Sequence, residues 1–84
     1  MFKRNPTMRT FSEVAREIRA KWSKPYFGAA PYLDALAEVH TSDKNAKYLF
    51  EQVKDIVPYL LCNMATFRGA DARRLKAELK DMIK

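Results

Sequence analysis

The sequence predicts an all-α fold: a single compact domain of four helices, the third long and kinked at a proline. Three observations carry this. Apolar residues recur at helical spacing in four separate stretches, and no stretch alternates with period two over a useful length. The punctuation between the stretches is of the kind that ends or starts helices: Pro25, Pro31 and Gly69. At 84 residues there is room for one core, with about 60–65% of the unfolded surface buried on folding.

Residues 1–9 are polar and basic and contain Pro6, so they read as a flexible N-terminal tail ahead of a helical domain at 10–84. Thr10 followed by Glu13 is a capping box, which places the start of the first helix. Phe11, Val14, Ala15, Ile18 and Trp22 then share an arc of about 100°, with Ser12, Arg16, Arg19 and Ala20 on the far side. Pro25 stops that helix. Pro31 suits the first position of the second, since its missing N–H would be unpaired there anyway. Between them Gly28 is expected to permit a turn with positive φ. The second helix, with Tyr32, Leu33, Leu36, Ala37 and Val39 on its apolar side, should end near His40.

The third helix is expected over residues 44–66. Ala46, Leu49, Phe50, Val53, Ile56, Val57, Leu60, Leu61 and Met64 share a face about 140° wide, enough to touch two neighbours and to make this helix central. Pro58 removes the bond to the Lys54 carbonyl and should kink it. Tyr48 and Tyr59 fall together on its back. Gly69 turns the chain into a fourth helix, Ala70 to Ile83, with an apolar stripe of Ala72, Leu75, Leu79, Met82 and Ile83 and a basic edge of Arg73, Lys76 and Lys80.

The formal charge of +6 is uneven. Residues 1–24 carry seven basic and two acidic side chains, residues 25–67 three and five, and residues 68–84 six and three. Basic ends thus flank a mildly acidic middle, a field that favours anionic partners. No run of about 20 apolar residues could span a membrane, and the N-terminus lacks the apolar stretch of a secretory signal. The single cysteine, Cys62, has no internal disulfide partner, in keeping with a cytoplasmic protein.

The inventory for catalysis is thin. His40 is the one histidine, and it lies on a different element from Cys62. Cys62 reads as a small buried thiol and His40 as a loop residue, so a hydrolase built on the two has no motif behind it. One His and one Cys cannot close a zinc site, and two glycines cannot make a phosphate-cradling loop. The expectation is a protein that is not an enzyme and has no cofactor and no metal.

Three surfaces could bind. The stretch KPYFGAAPYLDAL, Lys24 to Leu36, holds two of the four prolines and three of the ten aromatics. Trp22 and Phe27 are expected to turn inward as core. Tyr26 and Tyr32, whose hydroxyls want water or a partner, are the candidates for contact. Arg16, Arg19, Arg73, Lys76 and Lys80 could track phosphates, although a basic helix face is more often simply solvated. The back of the third helix, with Tyr48, Asp55 and Tyr59, is either a packing face or an oligomer surface.

The words KWSKPYFGAAPYLDAL and ATFRG–AR–LKAELKDMI resemble a family of small proteins encoded in bacteriophage and prophage genomes. Its pattern is a helix ending in Trp, then YFGA-PYL-A, a variable acidic stretch, and T-(W/F)-RG--AR--K-EL. The likeness covers about residues 10–83. Phe67 stands where Trp is expected, and the stretch before the third helix departs from the pattern. The resemblance implies a small product of the bacterial cytoplasm, accessory to replication, regulation or host takeover, and it names no catalytic residue. The reading is therefore a non-enzymatic phage or prophage protein, a monomer or small homo-oligomer. It would contact a host or phage protein through Tyr26, Phe27, Tyr32 and Arg68, possible targets being a host factor or a defence system. The alternative is a basic helical nucleic-acid-binding module.

Overall fold

The computed structural model describes residues 9–84, and there four helices close a ring in which each packs on two neighbours. Helix α1 spans Phe11–Lys21, α2 Ala30–Ala37, α3 Val53–Cys62 and α4 Ala70–Met82. α1 packs on α2 and α4, and α3 packs on the same two. The residues meeting at each end make the order up-down-up-down. Trp22 at the end of α1 lies on Phe67 before α4, whereas the Phe11 amide at the start of α1 donates to Thr41 O beyond the end of α2. No one helix is central, in contrast to the expectation for the third. Of the expected flexible tail, residues 1–8 lie outside the described residues. Arg9 is held, by Glu17 and Glu78.

α1 starts as its sequence dictates. The Glu13 amide donates to Thr10 Oγ1 at 3.1 Å and the Thr10 amide to Glu13 Oε1 at 2.8 Å, so two donors that the helix leaves unpaired are satisfied. It ends at Lys21 with Trp22 as cap, before Pro25 forces it to. Ser12, expected on the outer side, is buried: its amide donates to Val39 O at 2.8 Å where the chain leaves α2. α2 begins one residue ahead of Pro31 and ends at Ala37, short of His40.

The third helix does not run the length expected, residues 44–66. Residues 44–52 fold instead as turns and a two-stranded antiparallel hairpin, β1 Lys47–Tyr48 and β2 Glu51–Gln52, with Lys47 opposite Gln52 and Tyr48 opposite Glu51. Asp43 nucleates the departure. Its carboxylate accepts from the Asn45 amide at 2.9 Å and its carbonyl from the Ala46 amide at 3.0 Å. These local bonds compete with helix at a residue type that favours them. The hairpin then sets where α3 begins. Val53 N–H donates to Ala46 O at 2.8 Å and Lys54 N–H to Lys44 O at 3.0 Å, so carbonyls of the turn leading into the hairpin satisfy the first two amides of a helix whose cap, Gln52, offers no side chain. Pro58 does sit inside α3, but in a helix of ten residues. Leu49 and Phe50, expected on the core face, form the hairpin tip and are 76% and 98% exposed.

The core fills from all four helices. Phe11, Val14 and Ile18 meet Leu33 and Leu36, Val53, Val57 and Leu60, and Leu75 and Leu79, all within 1% of complete burial. Each such side chain stabilises the fold by about 1.5–3 kcal/mol relative to an exposed position. No buried side-chain polar atom among the described residues lacks a hydrogen-bond partner.

Candidate functional site

The end of the ring where α1 and α3 finish and α2 and α4 begin gathers the aromatic residues singled out in the sequence. Trp22 and Phe67 are its floor, both buried, their rings stacked with centroids 5.2 Å apart. Trp22 is core as expected, but Phe27, expected to turn inward with it, is not. Phe27 instead stands 81% exposed, and Tyr26 beside it 44% exposed, with centroids 4.9 Å apart. Phe27 is therefore no plug, while Tyr26 is exposed, though less than Phe27.

Gly28 explains the cover on Tyr26. A Cβ at Gly28 would lie 2.5 Å from Tyr26 Cε2 and 2.9 Å from Asn63 Oδ1, so glycine is needed there for close approach. The expected positive φ is absent. Ala29 and Ala30 donate back to the carbonyls of Tyr26 and Phe27, at 2.8 and 3.2 Å, and this turn runs directly into α2. Asn63 belongs to the far side of the loop. Its Nδ2 donates to Tyr59 O at 2.8 Å, satisfying a carbonyl in the last turn of α3. Tyr59, 57% exposed, stacks on half-buried Tyr32 with centroids 5.9 Å apart. It was expected beside Tyr48, which lies in the hairpin. Arg68 is exposed next to Phe67, its Nε donating to Ala65 O at 3.4 Å. All four residues expected to make contact therefore lie at one end, joined by Tyr59.

On the Phe27 side the loop and the first turn of α2 enclose an open groove of about 480 Å³ lined by Arg19, Trp22, Ser23, Pro25, Phe27, Ala30 and Leu33. Arg19 is the one charge in that lining, and it pairs across α1 and α2 with Asp34. Periodicity alone could not mark this groove, because its residues come from two helices and the irregular loop between them.

The basic candidates do not converge. Arg19 is engaged with Asp34, and Lys76 donates from Nζ to Phe67 O at 2.8 Å. Arg16, Arg73 and Lys80 are exposed and have no ion pair among the described residues. Between the α1 and α4 groups runs a cluster of matched charge. Glu17 pairs with Arg9 at 2.7 Å and Arg74 at 2.5 Å, Arg9 also with Glu78, and Asp71 with Arg74 and Lys21. Arg9 and Arg74 hold the Glu17 carboxyl down at about 2, Arg74 contributing most through its hydrogen bond. These contacts tie α1 to α4.

Cys62 ends α3 at the aromatic end and is exposed, not the buried thiol expected, while His40 lies beyond α2 at the opposite end. The two are not brought together. Among the described residues no three His, Cys, Asp or Glu side chains gather as a metal site, and no helix is long and apolar enough to cross a membrane. Compared with models of protein families, with curated proteins and with solved structures, the chain matches none.

Proposed function

We propose that the protein is a non-enzymatic interaction module that docks a partner protein on its aromatic end, through Phe27 and Tyr26 with Tyr59, Tyr32 and Arg68 around them. The observation that carries this is the exposure of Phe27 in a fold whose core is already closed beneath it by Trp22 and Phe67. Leaving a phenylalanine in water forgoes about 1.5–3 kcal/mol of burial, and rigid aromatics flanked by an arginine are the side chains that anchor interfaces. The resemblance to phage and prophage products supplies the setting: an accessory protein acting on a host factor or defence system in the bacterial cytoplasm.

Affinity capture from host lysate, with and without nuclease, tests the reading. The wild type should retain a protein partner after nuclease treatment, and Phe27→Ser should lose it at unchanged helical circular dichroism. Capture that disappears with nuclease would instead favour the nucleic-acid reading, which rests on Arg16, Arg73 and Lys80, exposed and without an ion pair among the described residues. In that case a gel shift should weaken steeply with salt and fall further with Arg73→Glu. A hydrolase reading would require His40→Ala or Cys62→Ser to abolish the biological effect, and the separation of the two residues in the fold supports no such dependence.

A further inference from the structure

The two segments that build the aromatic end stand apart from the rest of the chain in charge. Residues 22–33 and 59–70 contain no aspartate or glutamate, and each contains one cation, Lys24 and Arg68. The two are placed alike. Lys24 follows Trp22 by two residues and Arg68 follows Phe67 by one, so the stack of those rings brings both cation-bearing stretches to the same end. Both side chains are exposed, and neither has an ion pair among the described residues. Arg68 donates from Nε to Ala65 O at 3.4 Å, a contact that leaves its charge without a counter-charge.

Neighbouring carboxylates do not offset these cations. Asp34 in α2 is engaged by Arg19, and Asp71 in the first turn of α4 by Lys21 and Arg74. Asp55 lies in the first turn of α3, at the opposite end of that helix from Cys62. Lys76 adds a positive charge from below, its Nζ donating to the neutral Phe67 carbonyl at 2.8 Å. The opposite end of the ring has the reverse bias: residues 38–52 carry three carboxylates, Glu38, Asp43 and Glu51, against two lysines, Lys44 and Lys47. The exposed aromatics therefore sit at the end of the molecule whose loops are basic and free of acid.

We propose that the protein segment docked by the aromatic end is acidic: an apolar or aromatic anchor that covers Phe27 and Tyr26, flanked by aspartate or glutamate that meets Lys24 and Arg68. This rests on the reading of that end as a docking surface and names the chemistry of what it binds. The layout of the charge favours a protein over a nucleic acid. A bound strand needs cations along its path to neutralise successive phosphates. Here exposed aromatics occupy the middle and cations the rim, which is the anatomy of a protein interface. Because the cations are exposed, each pair contributes modestly, and much of its effect falls on the rate of encounter and on the salt dependence.

A random peptide library panned against the immobilised full chain tests this. Enriched peptides should place Asp or Glu beside Trp, Phe or Leu. A synthetic copy of the best one, followed by fluorescence anisotropy, should bind Phe27→Ser about tenfold or more weakly. The double variant Lys24→Glu, Arg68→Glu should bind it about tenfold more weakly at unchanged helical circular dichroism, because two exposed pairs turn from attraction to repulsion. The neutral double variant Lys24→Gln, Arg68→Gln should fall between it and the wild type, and added salt should shrink the differences. Enriched peptides that are neutral or basic, or binding that the double reversal leaves unchanged, would overturn the acidic partner. If that binding still needs Phe27, the docking surface stands without it. Peptides that bind Phe27→Ser as well as the wild type, or no enrichment at all, would remove the docking surface and this proposal together. A labelled oligodeoxythymidine strand that binds more tightly than the best peptide, and loses that binding with Phe27→Ser, would assign the same cations to phosphate and overturn the proposal.

Discussion

The rings of Trp22 and Phe67 stack 22° from parallel with centroids 5.2 Å apart, and this one contact joins the end of α1 to the turn that starts α4. It also joins the two segments KWSKPYFGAAPYLDAL and ATFRG. Trp22 and Phe67 lie 45 residues apart in the chain and meet at the same end of the ring. Phe67→Ala should cost about 3–5 kcal/mol, because both rings lose their partner and a cavity opens beneath the loop. A domain of this size has about 4–12 kcal/mol in total, so a urea melt should show the variant marginal or unfolded at 37 °C.

The two glycines should fail differently. Gly69 caps α4 at φ 107° and ψ −177°, a region almost closed to residues with a Cβ, although an added Cβ would meet nothing within 4 Å. Gly69→Ala should therefore cost about 1–3 kcal/mol from backbone conformation alone, and larger residues should cost no more than alanine. Gly28 has the opposite problem, an unremarkable φ and a crowded Cβ. Gly28→Ala should displace the Tyr26 ring. Its stability loss should shrink when Tyr26 is also replaced by Ala, whereas that of Gly69→Ala should not. A double-mutant cycle measured by thermal unfolding separates the two.

Where local chemistry alone decided the structure, the sequence could be read directly: the Thr10–Glu13 box, the proline near the start of α2, Gly69 and the stripe of α4. The third element was misread for a physical reason. Ala46, Leu49, Phe50 and Val53 are spaced as a helix would space them, and spacing cannot register that the Asp43 carboxylate takes the Asn45 amide or that the Lys44 and Ala46 carbonyls take the first amides of α3. Phe27 was misplaced because no pattern in the sequence shows that the Trp22–Phe67 stack closes the core beneath the loop. The same argument yields a stability prediction. Phe27→Ser and Phe50→Ser should each change the unfolding free energy by less than about 0.5 kcal/mol, as exposed positions do, where core placement would cost several times more. Leu49→Gly should stabilise by about 0.5–1 kcal/mol by relieving the positive φ.

The Glu17 cluster gives the fold a dependence on acid. In the unfolded chain Glu17 titrates near the ordinary carboxylate value of 4.5, and in the folded chain at about 2, because protonation would forfeit the hydrogen bond from Arg74 and the pair with Arg9. A carboxylate with a depressed folded value stabilises above its unfolded value, and that contribution is lost as the pH falls through the folded one. Glu78, facing Arg9, and Asp71, facing Arg74 and Lys21, complete the cluster from α4. Surface pairs contribute about 0.2–1 kcal/mol each, so the effect is a modest shift and not a collapse. Glu17→Gln should lower the melting temperature by a constant amount between pH 5 and pH 8. Below pH 4.5 the gap should narrow and close near pH 2, where the wild type also holds a neutral side chain. Raising the salt at pH 7 should narrow the same gap by screening. A gap that stays constant down to pH 2 would mean the carboxylate acts through packing and not through its charge.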